Sequence, residues 1–109
     1  MKTARLLIVD PDARNAALYR QALAGLGDVE LIFESDTASA RRQLEEHSFN
    51  LLIAAHVPPQ VDALALLTRA READADLPVV LVEQAPAIAT AAAGLRLGAS
   101  DYLSGPIVP

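Results

Sequence analysis

The stretch FNLLIAAHVPPQVDALALL, residues 49–67, joins a continuous apolar run to a proline-rich loop and a helical pattern. Leu51–Ala55 contains no polar residue, which is typical of a strand covered on both faces of a parallel sheet. After the loop, Asp62 stands where a carboxylate can cap the start of a helix, and the pattern predicts a helix over residues 62–73. The stretch therefore predicts one strand–helix unit of an α/β fold.

The same alternation extends in both directions from this unit. Apolar runs predict four further strands, at residues 5–10, 29–35, 77–83 and 100–103. Patterns of 3.6-residue period predict three further helices, at residues 13–26, 37–46 and 87–97. Alternating strands and helices with short connections favour a doubly wound α/β sandwich with a parallel sheet.

Composition excludes several classes of function. The chain has 109 residues, enough for one domain, and a net charge of −5 with no basic stripe that could neutralise a nucleic acid backbone. It contains no cysteine, which excludes disulfides, thiolate chemistry and sulfur ligands for metals. No apolar run approaches the length of a membrane span, and the apolar run near the N-terminus is too short for a signal peptide. We therefore expect a cytoplasmic protein that binds neither nucleic acid nor membrane.

Five motifs in this order and spacing resemble the receiver domains of bacterial response regulators, the CheY-like family. They are LLIVDPD (6–12), ALAGLG (22–27), the stretch 49–67, LPVVLVEQ (77–84) and GASDYLSGPI (98–107). The resemblance runs from about Leu6 to Ile107 and implies a flavodoxin-like sheet of five parallel strands in the order 2-1-3-4-5. It also implies a non-enzymatic signalling module, residues 1–109, at the N-terminal end of a longer signalling protein.

Four positions depart from what the resemblance implies for phosphotransfer. The phosphoryl-accepting aspartate would stand at position 55, where this chain has Ala55. The second acid of the metal-binding pair is Pro11, the switch hydroxyl is Glu83, and the phosphoryl-pairing lysine is Gly105. Magnesium-assisted transfer needs carboxylates and an acceptor oxygen. We therefore predict a phosphorylation-independent pseudo-receiver that serves as an interaction, dimerisation or localisation module in two-component signal transduction.

A second hypothesis concerns the acidic groups left at the same edge of the sheet. Asp10, Asp12, His56 and Glu83 follow or end predicted strands, and ligands of open α/β sheets bind at that edge. These groups are candidates for weak metal binding and for a ligand or ion sensor, although they also fit solvated loop ends. We expect no cofactor and no Mg²⁺ site, because Pro11 and Ala55 offer no side-chain oxygen.

The C-terminal end carries the remaining expectations. The chain stops at Pro109 without the fifth helix of the family, so we expect apolar side chains of residues 6–9 and Leu103 to face solvent, repack or meet another chain. Tyr102, Leu103 and Ile107 are the predicted interface residues. A protein partner, an attached output domain or a homodimer would supply the cover. Tyr102, at the family's aromatic switch position, is expected to be partly buried with an exposed hydroxyl, and Gly105–Pro106 is a candidate cis peptide bond.

Overall fold

Five short runs form one parallel sheet in the computed structural model, which describes residues 3–105. The strands are β1 (Ala4–Val9), β2 (Val29–Glu34), β3 (Leu51–Ala55), β4 (Val79–Glu83) and β5 (Asp101–Ser104). Their order is β2-β1-β3-β4-β5, and every neighbouring pair is parallel. The predicted flavodoxin-like fold and its strand order are confirmed.

Helices connect successive strands. They are α1 (Asn15–Ala22), α2 (Thr37–Glu46), α3 (Ala63–Ala73) and α4 (Ile88–Leu97), and a 3-10 turn at Ala24–Leu26 follows α1. Within the described part of the chain, no helix is both long enough and apolar enough to cross a membrane. The expected absence of a fifth helix, the predicted interface residue Ile107 and the Gly105–Pro106 bond all involve residues after Gly105, which lie outside the described residues. The described cis bond is Pro58–Pro59, in the loop after β3.

Three element boundaries differ from the prediction by two residues or more. The first helix begins at Asn15 rather than Ala13, because the carboxylates of Asp10 and Asp12 bond backbone amides two residues ahead and hold residues 10–14 in turns. It ends at Ala22, before the 3-10 turn that contains Gly25. The fourth strand begins at Val79 rather than Leu77, after Pro78, which has no amide hydrogen to give to the sheet.

The sheet has an apolar core on each face. On one face, Leu7, Leu52 and Leu81 pack with side chains of α2 and α3. On the other face, Ile8, Ile53 and Val82 pack with Tyr19 of α1. Because alternate residues of a strand point to opposite faces, the continuous apolar runs supply both cores at once.

Of the outcomes expected for residues 6–9, exposure to solvent does not occur. Residues 6–9 are all buried, because α1 covers Ile8 on one face and α2 and α3 cover Leu7 and Val9 on the other. Leu103 of β5, by contrast, keeps 51% of its surface exposed. The apolar surface that the described residues leave open on the sheet is therefore at β5, not at β1.

Asp62 caps α3, as the sequence predicts. Its Oδ1 accepts a hydrogen bond from the backbone amide of Ala65 at 3.1 Å. Replacing Asp62 by alanine leaves that amide without a protein acceptor and is expected to lower the free energy of unfolding by about 1 kcal/mol. Urea denaturation measures the change. Asp62→Asn is the matched control, since asparagine caps as well as aspartate; an equal loss in both variants would contradict the capping role.

Candidate functional site

The carboxyl ends of β1, β3 and β4 meet around a cavity of about 390 Å³. Because Val9 pairs with Ala54 and Ala55 pairs with Val82, the parallel register places the ends of these three strands side by side. Residues lining the cavity include Asp10, Asp12, Asn15, Ala55, His56 and Glu83. The structure thus brings together all four predicted acidic and histidine candidates, with Ala55 between them.

Asp10 is occupied by neighbouring groups of its own chain. Its Oδ1 accepts the amide of Asp12 at 2.8 Å, and its Oδ2 accepts the side-chain amide of Asn15 at 3.0 Å and the hydroxyl of Tyr19 at 3.1 Å. Burial and the negative charge of Asp10 raise the pKa of the Tyr19 hydroxyl well above its usual value. Asp10 therefore organises the end of β1 and the start of α1.

Asp12 is paired with Arg14 in a bidentate arrangement. Its Oδ1 accepts Nε of Arg14 at 2.9 Å and its Oδ2 accepts Nη2 at 2.8 Å, while Oδ1 also accepts the Arg14 amide at 3.0 Å. The side-chain hydrogen bonds from Arg14 lower the pKa of the Asp12 carboxyl. Asp12 is a charged group that already has its counter-charge.

His56 faces the following helix. Its Nδ1 accepts the backbone amide of Ala63 at 3.2 Å, so the neutral ring that makes this contact carries its proton on Nε2. Its own amide donates to the carbonyl of Val82 at 2.8 Å, which ties the end of β3 to β4. His56 therefore stabilises the β3–α3 connection.

Glu83 is joined to Tyr102 across the last two strands. The Tyr102 hydroxyl donates to Oε1 of Glu83 at 2.6 Å and accepts the amide of Ala87 at 3.1 Å, and Oε2 of Glu83 accepts the hydroxyl of Thr90 at 3.4 Å. Tyr102 is partly buried, as expected, but its hydroxyl is engaged rather than free in solvent. The hydrogen bond to Glu83 raises the pKa of Tyr102, and the Ala87 amide partly offsets this.

Gly105 occupies the position where the resemblance implies a lysine. Its φ is 90°, in the left-handed region that favours glycine, and its amide donates to the carbonyl of Glu83 at 3.0 Å. A lysine would be strained in this backbone conformation. Gly105 therefore removes the positive side chain and permits a backbone conformation that favours glycine.

These residues do not fit the divalent metal that the fold family implies. Within residues 3–105, no three His, Cys, Asp or Glu side chains are grouped so that they could hold a metal ion. Every buried side-chain nitrogen or oxygen in these residues already has a hydrogen-bond partner, so none is left for an ion to coordinate. Asp10 and Asp12 already have donors on both oxygens, and Ala55 adds none. We therefore derive no step through a metal.

The sequence could not show which hydrogen-bond donors contact the predicted site residues. Asn15, Tyr19 and Thr90 were not among the predicted site residues, although each donates a hydrogen bond to one of them. The local spacing of Asp10, Asp12 and Arg14 is a signal for turns that bond side chain to backbone. Tyr102 and Glu83 are 19 residues apart in sequence, so no local pattern of residues predicts their contact.

The model of the response regulator receiver domain family matches residues 6–109. The chain belongs to this family. It is 31% identical to the transcriptional regulatory protein PrrA of Mycobacterium tuberculosis, over 95% of this chain and 44% of PrrA. It is 33% identical to the DNA-binding transcriptional regulator NtrC of Rhizobium meliloti, over 97% of this chain and 22% of NtrC. The receiver domain thus spans less than half the length of these curated relatives.

Solved receivers share its fold closely. A CheY-like receiver domain protein from Methanospirillum hungatei superposes with a TM-score of 0.87 at 23% identity, over 97% of this chain and 84% of that one. A response regulator from Chloroflexus aurantiacus gives 0.83 at 30% identity, over 97% and 88%. A response regulator from Burkholderia pseudomallei, solved with a phosphorylated aspartic acid and a calcium ion, gives 0.82 at 19% identity, over 94% and 60%. The chain is a receiver domain of two-component signalling in fold and in family.

The hydrogen bond between Glu83 and Tyr102 predicts a measurable change in tyrosine titration. The chain has two tyrosines, so a Tyr19→Phe background isolates Tyr102. Replacing Glu83 by glutamine in that background removes the carboxylate that raises the Tyr102 pKa, and we expect this pKa to fall towards 10. Ultraviolet absorbance of the phenolate against pH measures it. Asp101→Asn, a change of an exposed acid beside Tyr102, is the control; an unshifted Glu83→Gln curve would exclude the contact.

Proposed function

We propose that this receiver domain acts in two-component signalling without being phosphorylated, as a non-enzymatic module that contacts a protein partner or an attached output domain. The observation that carries the proposal is Ala55, which stands at the end of β3 between Asp10 and Glu83. A methyl group has no oxygen that could attack a phosphoryl donor. In the proposed role the domain signals by the surface that it presents.

The pairing of the remaining acids supports this role. Phosphoryl transfer needs a cation at the site to neutralise the developing charge. Asp10 instead accepts hydrogen bonds from Asn15 and Tyr19 of α1, and Asp12 is paired with Arg14. Gly105 brings no positive side chain to the same edge, and its φ of 90° disfavours one. The acceptor, the cation site and the phosphoryl-pairing lysine are therefore all replaced.

The family supports contact with an output domain. PrrA is named as a transcriptional regulatory protein and NtrC as a DNA-binding transcriptional regulator, and each is more than twice as long as the matched part. We infer that the present domain works beside such a module. Dimerisation through Leu103, which is 51% exposed on β5, is one form that the contact takes.

A ligand or ion sensor at the 390 Å³ cavity is the competing function. The cavity is large enough for a small molecule, but each acidic group around it already has a hydrogen-bond donor of the same chain. A ligand would have to share these carboxylates with the donors already present. The geometry therefore favours the interaction module.

The first test is incubation with a small phosphodonor and Mg²⁺, followed by intact-mass measurement. We expect no gain in mass, whereas a phosphorylatable receiver treated in parallel gains one phosphoryl group. A stoichiometric gain in the present chain would overturn the proposal. Thermal denaturation of the same samples separates the two functions, because stabilisation by Mg²⁺ alone would support an ion sensor.

Restoring the acid at position 55 tests the role of Ala55 directly. Ala55→Asp places a second carboxylate beside Asp10, and like-charge repulsion is expected to lower its melting temperature below that of Ala55→Asn, which has the same size without the charge. Mg²⁺ is expected to reduce this difference. No response of Ala55→Asp to Mg²⁺ would show that the pairing of Asp10 and Asp12, rather than Ala55, is what excludes the ion.

A further inference from the structure

Helix α4 has less support at its start than the two helices before it. Asp36 and Asp62 cap α2 and α3 through hydrogen bonds from backbone amides, whereas the N-cap residue of α4 is Ala87, which has no side-chain oxygen. A helix start without a capping side chain is less stable by about 1 kcal/mol than one with serine, threonine or aspartate. Other groups must therefore hold the start of α4.

The interior of α4 adds little stability of its own. It contains Gly94, which lowers helix propensity, in a helix of ten residues. The glycine is required by packing, because a Cβ there would lie 2.6 Å from Cδ1 of the buried Leu81. The other end is well terminated: Gly98 has a left-handed φ of 91°, and the amide of Ala99 donates to the carbonyl of Gly94 at 2.8 Å. The weak point is the N-terminal end.

Two residues of the sheet contact that end. Tyr102 on β5 accepts the amide of Ala87 at 3.1 Å, and the carboxylate of Glu83 receives the hydroxyl hydrogens of Tyr102 at 2.6 Å and of Thr90 at 3.4 Å. Thr90, in the first turn of α4, is the buried polar residue of the described core. One carboxylate and one phenol thus join β4, β5 and the first turn of α4.

The sheet fixes both side chains beneath the helix. Leu81 pairs with Tyr102 and Glu83 pairs with Ser104 in the β4–β5 ladder. Leu81 and Glu83 are two residues apart and point to the same face, which is where Leu81 meets Gly94 of α4. The contact therefore follows from the strand register and does not depend on a mobile loop.

From this geometry we propose that Glu83 and Tyr102 form a permanent latch that holds the N-terminal end of α4 in the unmodified chain. This proposal rests on the proposed function, because it explains how a surface is kept in one arrangement without phosphorylation. That surface includes Ile88 and Leu95, which are 89% and 72% exposed and lie seven residues apart on one side of α4. Loss of the latch opens the first turn of α4 and leaves the sheet intact.

Hydrogen exchange of the full chain tests the latch, read by NMR or mass spectrometry. Glu83→Gln keeps the shape of the side chain and removes its charge, and Tyr102→Phe removes only the hydroxyl. In each variant we expect exchange of the Ala91 amide, which donates to the carbonyl of Ala87, to accelerate roughly five- to tenfold, the size expected when one hydrogen bond of ordinary net strength is lost from a locally opening helix. The effect of the double variant should be smaller than the sum of the two single effects, because both substitutions change the shared Glu83–Tyr102 hydrogen bond.

Tyr19→Phe is the matched control, because it removes the other buried tyrosine hydroxyl bond, to Asp10, on the opposite face of the sheet. It should leave α4 unchanged. Unchanged α4 exchange in both Glu83→Gln and Tyr102→Phe would overturn the latch, and so would equal acceleration in α2 and α4, which indicates global destabilisation. Failure of the latch is distinct from failure of the proposed function, since phosphoryl acceptance is measured by mass and does not depend on α4 exchange.

Discussion

The parallel pairing of β1, β3 and β4 is the constraint on which the site depends. Parallel strands that begin at one edge of a sheet end together at the other, so Asp10, Ala55 and Glu83 become neighbours although 73 positions of sequence separate the first from the last. The pairing is maintained by apolar cores on both faces of the sheet. A shift of one residue in β3 would exchange the two faces and break both cores, so the site cannot move independently of the core.

The fold could be predicted because its strongest signals are local and repeated. The runs that became β1, β3 and β4 are apolar at residues 6–9, 51–55 and 79–82, which is typical of strands covered on both faces. The start of α1 could not be placed from periodicity, because Asp10 and Asp12 bond backbone amides in competition with the helix. The sequence left open whether residues 6–9 face solvent, repack or meet another chain, because periodicity does not show that α1 covers Ile8 on one face of β1.

The candidate site could be predicted in its membership but not in its connections. Strand ends identify Asp10, His56 and Glu83 as neighbours, since topology alone brings them to one edge. What each group contacts depends on the reach and rotamer of side chains from other elements. Tyr19 meets Asp10 from α1, and Tyr102 meets Glu83 from β5, nine and 19 residues away in sequence. The chemical character of the edge is decided by these contacts, because an acid with its donors in place attracts an ion less than a free one.

The replacements around Ala55 are physically consistent with one another. Without a carboxylate at position 55, Asp10 has no neighbouring negative charge there that a bound cation would need to offset, and the amide of Asp12 with the side chains of Asn15 and Tyr19 satisfies it. Glu83 brings to β4 a carboxylate that accepts a hydrogen bond from the Tyr102 hydroxyl at 2.6 Å. A side chain with only a hydroxyl at this position would be shorter and would carry no charge to strengthen the bond. In the proposed role, phosphorylation does not change the conformational populations of this domain. Its influence on a partner would then come from the partner's own preference for the surface that the domain presents, because an equilibrium shifts only as far as a ligand distinguishes between its states.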